Sequence, residues 1–487
     1  MSVSGSTITA LLDRTPTKLL IGGEWVPTAN QLSVENPATE EVLTEIADAG
    51  TDQAVRALDA AVDAADAWAA TDPRQRGEIL RKAFELITAR ADDFALLMTL
   101  EMGKPLAEAR GEVTYGAEFL RWFAEEAVRI NGRYAVAPAG GTRLLTMKQP
   151  VGPVYAITPW NFPLAMGTRK IGPALAAGCT VVIKPAALTP LTTLAFGAVL
   201  EEAGLPAGVV NVVTTSKSGP VSARIISDPR LRKLTFTGST EVGQQLIAQS
   251  AEQVLKTSME LGGNAPFLVF ADADLDRAVD GAMLAKMRNM GEACTAANRF
   301  LVHESVAAEF GKRLAERMGA LKVGPGIEDG VQVGPLIEHR ATDKVSAMVS
   351  DAVDLGAKVL TGGRPLNRRG HFYAPTVLTD VPPTADVFHQ EIFGPVAPIT
   401  TFGTDEEALL LANDTEFGLV AYAFTTDLGR ALKVAERLQT GMVGINQGIV
   451  SNPAAPFGGV KHSGLGREGG PEGIEEYLET KYVGIAL

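Results

Sequence analysis

Residues 152–184 read GPVYAITPWNFPLAMGTRKIGPALAAGCTVVIK, and the alternation inside this stretch decides the fold class. The apolar run 154–158 has the length of a strand, 163–177 has the length of a helix, and 180–184 is again a short apolar run, closed by Lys184. The pattern continues through a helix at 188–203, a strand at 209–213, a helix near 219–227, a strand at 234–237 and a helix at 240–249. Strands alternating with helices predict parallel strands joined by right-handed crossovers, an α/β doubly wound, Rossmann-like sheet. Ligands on such a sheet sit beyond the carboxyl ends of its strands. The longest uncharged segment, 149–168, is interrupted by Pro150, Pro153, Pro159 and Pro163, which argues against a membrane span because a bilayer leaves the freed backbone groups no partner.

Upstream, residues 51–129 carry apolar positions at helical spacing: Val55, Leu58, Val62 and Ala65, then Ile79, Leu80, Phe84 and Ile87. Downstream, after Leu261-Gly262-Gly263, a second α/β series begins with a strand at 266–270, a helix at 275–289, a strand at 299–303 and a helix at 305–321, and runs to about residue 446. A strand at 442–445 leads into a loop, 446–459, rich in Pro, Gly and Asn. Two sheets with a cleft between them are the expected shape. The tail holds an apolar-alternating run, 482–485, that reads as an edge strand open to pairing with another copy.

The chain has 487 residues, 46% hydrophobic and 21% charged, a length suited to about three domain-sized units. Its 2 cysteines cannot build a disulfide framework, so each thiol has to be weighed singly. The net charge of −13 argues against a nucleic-acid or anionic-membrane partner and makes a small-molecule substrate the expectation. Residues 1–20 lack the charged and apolar regions of a secretory signal, so cytoplasmic residence is expected. No metal site is expected.

Four motifs carry possible chemistry. In Gly291-Glu292-Ala293-Cys294 the thiol is either a nucleophile, needing nearby positive charge or N–H dipoles, or a buried inert cysteine. The inert reading fits Cys179 better, set between Ala176-Ala177-Gly178 and the apolar residues 181–183. Glu260, at a strand end before Gly262-Gly263, could be a general base if burial raised its pKa, or a capping residue. The amide of Asn161, within Thr158-Pro159-Trp160-Asn161-Phe162-Pro163, could donate to an oxyanion or close an Asx turn. Phe236-Thr237-Gly238-Ser239 before a helix start suits a phosphate at the helix N-terminus, as well as an ordinary turn.

In order and approximate spacing these segments, with Lys184-Pro185 and Glu391-Ile392-Phe393-Gly394-Pro395, resemble the aldehyde dehydrogenase superfamily over nearly the whole chain. The resemblance implies a cofactor domain of residues 15–136 and 157–259, a catalytic α/β domain of 260–446, and a small β oligomerisation segment from 137–156 and 470–487 serving a homodimer or homotetramer. It implies Cys294 as nucleophile, Glu260 as base, and Asn161 with the Cys294 N–H as oxyanion hole. It implies a dinucleotide site of Thr158, Pro159, Trp160, Lys184, Ala187, Gly238, Ser239, Gly243, Leu261, Glu391 and Phe393. The implied cycle is thiolate attack, hydride transfer to nicotinamide, and hydrolysis of the thioester. A silent member of the fold and an unrelated thiol hydrolase are the rivals; the latter needs a histidine base, and none of the five histidines stands in a Cys-His motif.

Segments 158–170, 172–179, 232–241, 258–267, 448–452 and 457–469 are similar to the succinate-semialdehyde dehydrogenases of that family. This implies a substrate with a distal carboxylate held by Arg169, Arg288 and Ser451, and the physics agrees, because a carboxylate entering an acidic protein needs charge-assisted partners. Glutarate semialdehyde or a wider range of aldehydes is the alternative. Three departures stand out. Ala296 replaces a frequent second cysteine, so no disulfide switch is available. Ala187 neither binds the ribose as Glu would nor bonds a 2′-phosphate as Ser would, which leans the expectation toward NADP with NAD use open. Glu292-Ala293 stands where Gln-Thr is usual.

Overall fold

The computed structural model describes residues 4–486. Strands Val154–Ile157, Val181–Lys184, Val210–Val212, Lys233–Thr237 and Lys256–Glu260 run parallel. Their spatial order places Lys256–Glu260 outermost, then Lys233–Thr237, Val154–Ile157, Val181–Lys184 and Val210–Val212. Period-two alternation splits each strand between two cores. Val154 and Ala156 pack with helices Pro73–Ala89, Leu106–Glu126, Ala165–Ala177 and Leu191–Glu202, while Tyr155 and Ile157 pack with Thr51–Ala69, Ser218–Ile226 and Thr240–Ser250. Covered on both faces, Val154–Ile157 and Val181–Lys184 read as short apolar runs, which is why the sequence pattern finds them, whereas Lys256–Glu260, with the sequence KTSME, has no such run and is missing from the expected strand series.

Antiparallel strands close the sheet's edges: Leu19–Ile21 and Glu24–Val26 on one side and Gly464–Leu465 on the other. None of the three is visible as part of this sheet in the sequence, since each is short and joins it from far along the chain. The second sheet orders as Lys358–Thr361, Thr376–Thr379, Val396–Phe402, Ala297–His303, Ala265–Val269, Val420–Phe424 and Met442–Ile445, parallel except for its first pair. Phe267, Phe300, Tyr422 and Phe424 share one side of it with helices Leu275–Met287 and Glu304–Gly319. The tail strand is longer than expected: Leu478–Ala486 pairs residue for residue with Thr142–Pro150, and Arg133–Val136 completes a third, three-stranded sheet.

Of the helix boundaries that differ from expectation, two matter to the site. The helix expected from 163 begins at Ala165, because Leu164 and Ala165 turn their free N–H groups onto the Glu112 carboxylate. The helix expected to reach 289 ends at Met287, because Asn289 and Met290 adopt left-handed conformations (φ 54° and 56°) followed by Gly291 at 78°. A helix cannot continue through that backbone.

Candidate active site

The carboxyl ends of Val154–Ile157, Lys233–Thr237 and Lys256–Glu260 point toward the turn that precedes Ala297–His303 in the second sheet, and a cavity of about 470 Å³ lies between them. Its walls include Pro159, Trp160, Asn161, Arg169, Gly238, Ser239, Leu261, Arg288, Cys294, Glu391, Phe393 and Ser451. Of the residues singled out in the sequence, Thr158, Lys184, Ala187, Gly243 and Glu260 do not line it.

Cys294 is half-buried at the cavity wall. Two glycines allow this placement: a Cβ on Gly263 would lie 2.3 Å from the Cys294 carbonyl, and one on Gly291 would lie 2.2 Å from the Gly394 carbonyl. Burial pushes the thiol up to about 12, and the positive charges of Arg169 and Arg288 oppose that rise. Cys294 therefore rests as a thiol. Cys179 is fully buried, its thiol pushed up to about 11 by burial and donating to the Tyr477 carbonyl at 3.3 Å.

The Asn161 amide donates to the Glu292 carbonyl at 3.0 Å, two residues before Cys294. Asn289 Nδ2 joins the same two segments, donating to the carbonyls of Asn161 (3.1 Å) and Glu292 (2.9 Å). The Glu292 side chain is fully buried, and Oε1 accepts the Ile337 N–H at 3.1 Å while Oε2 has no partner. Burial raises its pKa well above the usual carboxylate range, against the Ile337 N–H and the Lys104 cation.

Glu260 differs from the part-buried base expected. It is 3% exposed and both carboxyl oxygens lack partners. Burial and the neighbouring Glu468 carboxylate raise its pKa, against Arg169, Lys170 and Arg467. Glu468, absent from the sequence reading, anchors this cluster: it pairs with Arg169 at 2.6 Å and with Lys170 at 2.5 Å, and Lys170 also reaches Thr235 at 3.1 Å. Arg169 therefore lines the cavity with its charge already matched, stacked 4.0 Å over Phe457, although its Nε has no acceptor. Arg288 has no carboxylate partner among the described residues. Its Nη1 donates to Ser451 Oγ at 3.2 Å, and the guanidinium lies over Phe162 and Tyr115. Beyond these four side chains a second recess of about 840 Å³ opens outward.

On the other side of the cavity Ser239 caps helix Thr240–Ser250, accepting the Val242 N–H, so the helix N-terminus opens at Gly238-Ser239. A Cβ on Gly243 would meet the Leu261 side chain at 2.4 Å, so Gly243 serves the packing of that helix on the strand end. Thr158 is buried and donates its N–H to the Lys184 carbonyl. Lys184 is a buried cation whose only hydrogen bonds among the described residues are to the Pro185 carbonyl (3.2 Å) and Ser218 Oγ (3.4 Å); burial lowers it to about 8. Half-buried Ala187 adds no charge beside it. Glu391 accepts the Gly263 N–H at 3.0 Å and is pushed up to about 7 by burial. Phe393, itself left-handed at φ 55°, packs edge-on to Trp160 with centroids 5.4 Å apart. A buried cation without an anion, a helix N-terminus and a buried carboxylate are groups that could hold a dinucleotide.

The family model of the aldehyde dehydrogenase family matches residues 25–483. A succinate-semialdehyde dehydrogenase of Paenarthrobacter nicotinovorans is 62% identical over 91% of this chain and 99% of its own. A glutarate-semialdehyde dehydrogenase of Pseudomonas putida is 51% identical over 96% of this chain and 97% of its own. The crystal structure of an NADP-dependent enzyme from Escherichia coli superposes with a TM-score of 0.96 at 50% identity, covering 98% of this chain and 99% of that one.

Proposed function

The chain belongs to the aldehyde dehydrogenase family, and from that premise we propose that it oxidises succinate semialdehyde to succinate, with NADP preferred over NAD. The observation that carries the substrate is the Arg288–Ser451 pair, a cation without a carboxylate partner held at 3.2 Å from a hydroxyl in the wall of the cavity that Cys294 lines. An arginine so placed offers a bidentate seat for a carboxylate at the far end of an aldehyde. The relatives named for succinate and glutarate semialdehydes support that seat and leave chain length to be measured.

In this reading the Cys294 thiol gives its proton to solvent, Sγ adds to the aldehyde carbon, and the developing oxyanion accepts from Asn161 Nδ2 and the Cys294 N–H. A dinucleotide held by Lys184, Glu391 and the Gly238-Ser239 turn would supply the hydride acceptor that converts the thiohemiacetal on Cys294 to a thioester. Glu260 then takes a proton from the water that attacks the thioester carbon, and the thiol leaves. Its buried pose is the resting one; to act, its side chain turns toward Cys294, whose ionisation it already influences. Arg169, paired with Glu468 and stacked over Phe457, orders the wall and adds positive charge near Cys294.

Lys184 without an anion, beside Ala187 in place of an acidic residue, supports the NADP preference. The three-stranded sheet exposes Tyr134, Val136, Met147, Tyr482 and Ile485 and is proposed as the oligomerisation surface. Chemistry resting on a reduced thiol fits cytoplasmic residence. The test is kcat/KM for succinate semialdehyde, glutarate semialdehyde and butanal, each with NAD and NADP. A preference of at least tenfold for the succinate aldehyde with NADP is expected, together with complete loss in Cys294→Ala while dinucleotide still binds. Turnover retained without the thiol refutes the mechanism, and equal use of butanal refutes the carboxylate seat.

A further inference from the structure

We propose that Lys104 is a positioning residue for the oxyanion-hole amide, a buried cation that sets the Asn161 turn against the nucleophile; the proposal rests on the reading of Asn161 as oxyanion donor. Lys104 stands in the Gly103-Lys104-Pro105 link between helices Ala91–Met102 and Leu106–Glu126 and is 1% exposed. Its Nζ donates to the Asn161 carbonyl at 2.7 Å and pairs with the equally buried Glu112. The other oxygen of Glu112 accepts the N–H groups of Leu164 (3.0 Å) and Ala165 (3.1 Å). A single ion pair thus grips both ends of the turn 161–165, at its first carbonyl and at the helix start that follows, while the ring of Phe162 lies 4.2 Å from Nζ.

The far side of the same turn is tied to the nucleophile. Asn289 Nδ2 shares the Asn161 carbonyl with Lys104 and reaches the Glu292 carbonyl, which also receives the Asn161 amide. The Asn161 backbone is therefore clamped from below by Lys104 and from the side by the segment that carries Cys294. One N–H of its amide remains for the cavity. Taking two charges out of water is a poor route to stability compared with apolar packing, so what this pair supplies is geometry. Oxyanion donors need that geometry, because their effect depends on being held within about 0.5 Å of the productive position before charge develops. Lys104 touches neither substrate nor thiol in this arrangement and acts only through Asn161.

The test is a double-mutant cycle on the full chain. Lys104→Met and the charge-neutral Lys104→Met/Glu112→Gln are each made alone and in an Asn161→Ala background, with kcat and KM measured for succinate semialdehyde and dinucleotide Kd measured by fluorescence. The neutral pair keeps the test available where a lone buried Glu112 prevents folding. Expected are a kcat loss of at least tenfold, KM and Kd within about twofold, and a further loss below twofold when Asn161 is already Ala. Full kcat in the variants, or the same loss with and without Asn161, overturns the proposal. Unimpaired Asn161→Ala overturns the oxyanion reading beneath it and the proposal with it, so the two failures are told apart.

Discussion

Arg288→Gln tests the substrate seat most sharply. The guanidinium lies 5.0 Å from the Phe162 ring and 5.4 Å from the Tyr115 ring, and its Nη1 is fixed by Ser451 at 3.2 Å, so the cation is held in place before any ligand binds. A charge-assisted hydrogen bond to a carboxylate in such a place is worth about 1.5–3 kcal/mol. At 1.4 kcal/mol per decade its loss raises KM for succinate semialdehyde about 10- to 150-fold. Butanal has the same length and no carboxylate, so its KM changes by less than about threefold. Arg288 also eases ionisation of the Cys294 thiol, and its removal slows chemistry on both substrates alike. The discriminating quantity is therefore the ratio of the two kcat/KM values, in which that common effect cancels. Initial rates of reduced-dinucleotide formation give it directly. Ser451→Ala, which removes one neutral hydrogen bond of about 0.5–1.5 kcal/mol, shifts the same ratio by about 2- to 12-fold. If Arg288→Gln leaves the ratio where it was, the carboxylate is bound elsewhere and the reasoning from this pair is wrong.

Three further outcomes are expected. Glu292 has a pKa raised by burial, so the folded chain holds a proton that the unfolded chain releases, and stability is lost as pH rises through the folded value. Glu292→Gln keeps the acceptor for Ile337 N–H without that proton, and its melting temperature should exceed the parent's by a margin that widens from pH 6 to pH 9; a constant margin contradicts a neutral Glu292. Glu468→Gln removes the negative neighbour of Glu260 and leaves Arg169 and Lys170 beside it, so the acid limb of the kcat–pH profile should move to lower pH, and an unmoved or raised limb shows that Glu468 does not tune the base. Ala187→Glu brings a carboxylate to the adenosine-ribose end near Lys184 and should weaken NADPH binding about tenfold, for a repulsion of about 1.4 kcal/mol, with little effect on NADH; equal weakening of both in a fluorescence titration places the 2′-phosphate somewhere else.

The buried Glu292 and the buried Glu468 cluster mark where reading along the chain stops. Glu292 could be noticed as an unusual residue, but its protonation depends on an apolar enclosure and on Ile337, 45 residues away. Arg169 and Lys170 look like a solvated basic pair until Glu468 arrives from 298 residues beyond Lys170 and takes both charges. Lys104 carries no signal at all: a Gly-Lys-Pro link between helices is unremarkable, and its importance lies in the carbonyl it happens to meet. Exposure of the tail strand was readable from its alternation, whereas its partner, Thr142–Pro150, was concealed by a run of half-buried residues with no clean period.

Local periodicity and turn chemistry act over a few residues, so the sequence by itself determined the parallel α/β architecture and the family resemblance, and it marked Cys294, Glu260 and Asn161 as candidates for thiol chemistry. Charge state, burial and mutual distance are properties of neighbours drawn from the whole chain. Only the tertiary structure could decide that Glu260 is buried with its pKa raised, that Arg169 is matched by Glu468 while Arg288 has no carboxylate partner among the described residues, and that the buried Lys104 donates to the Asn161 carbonyl.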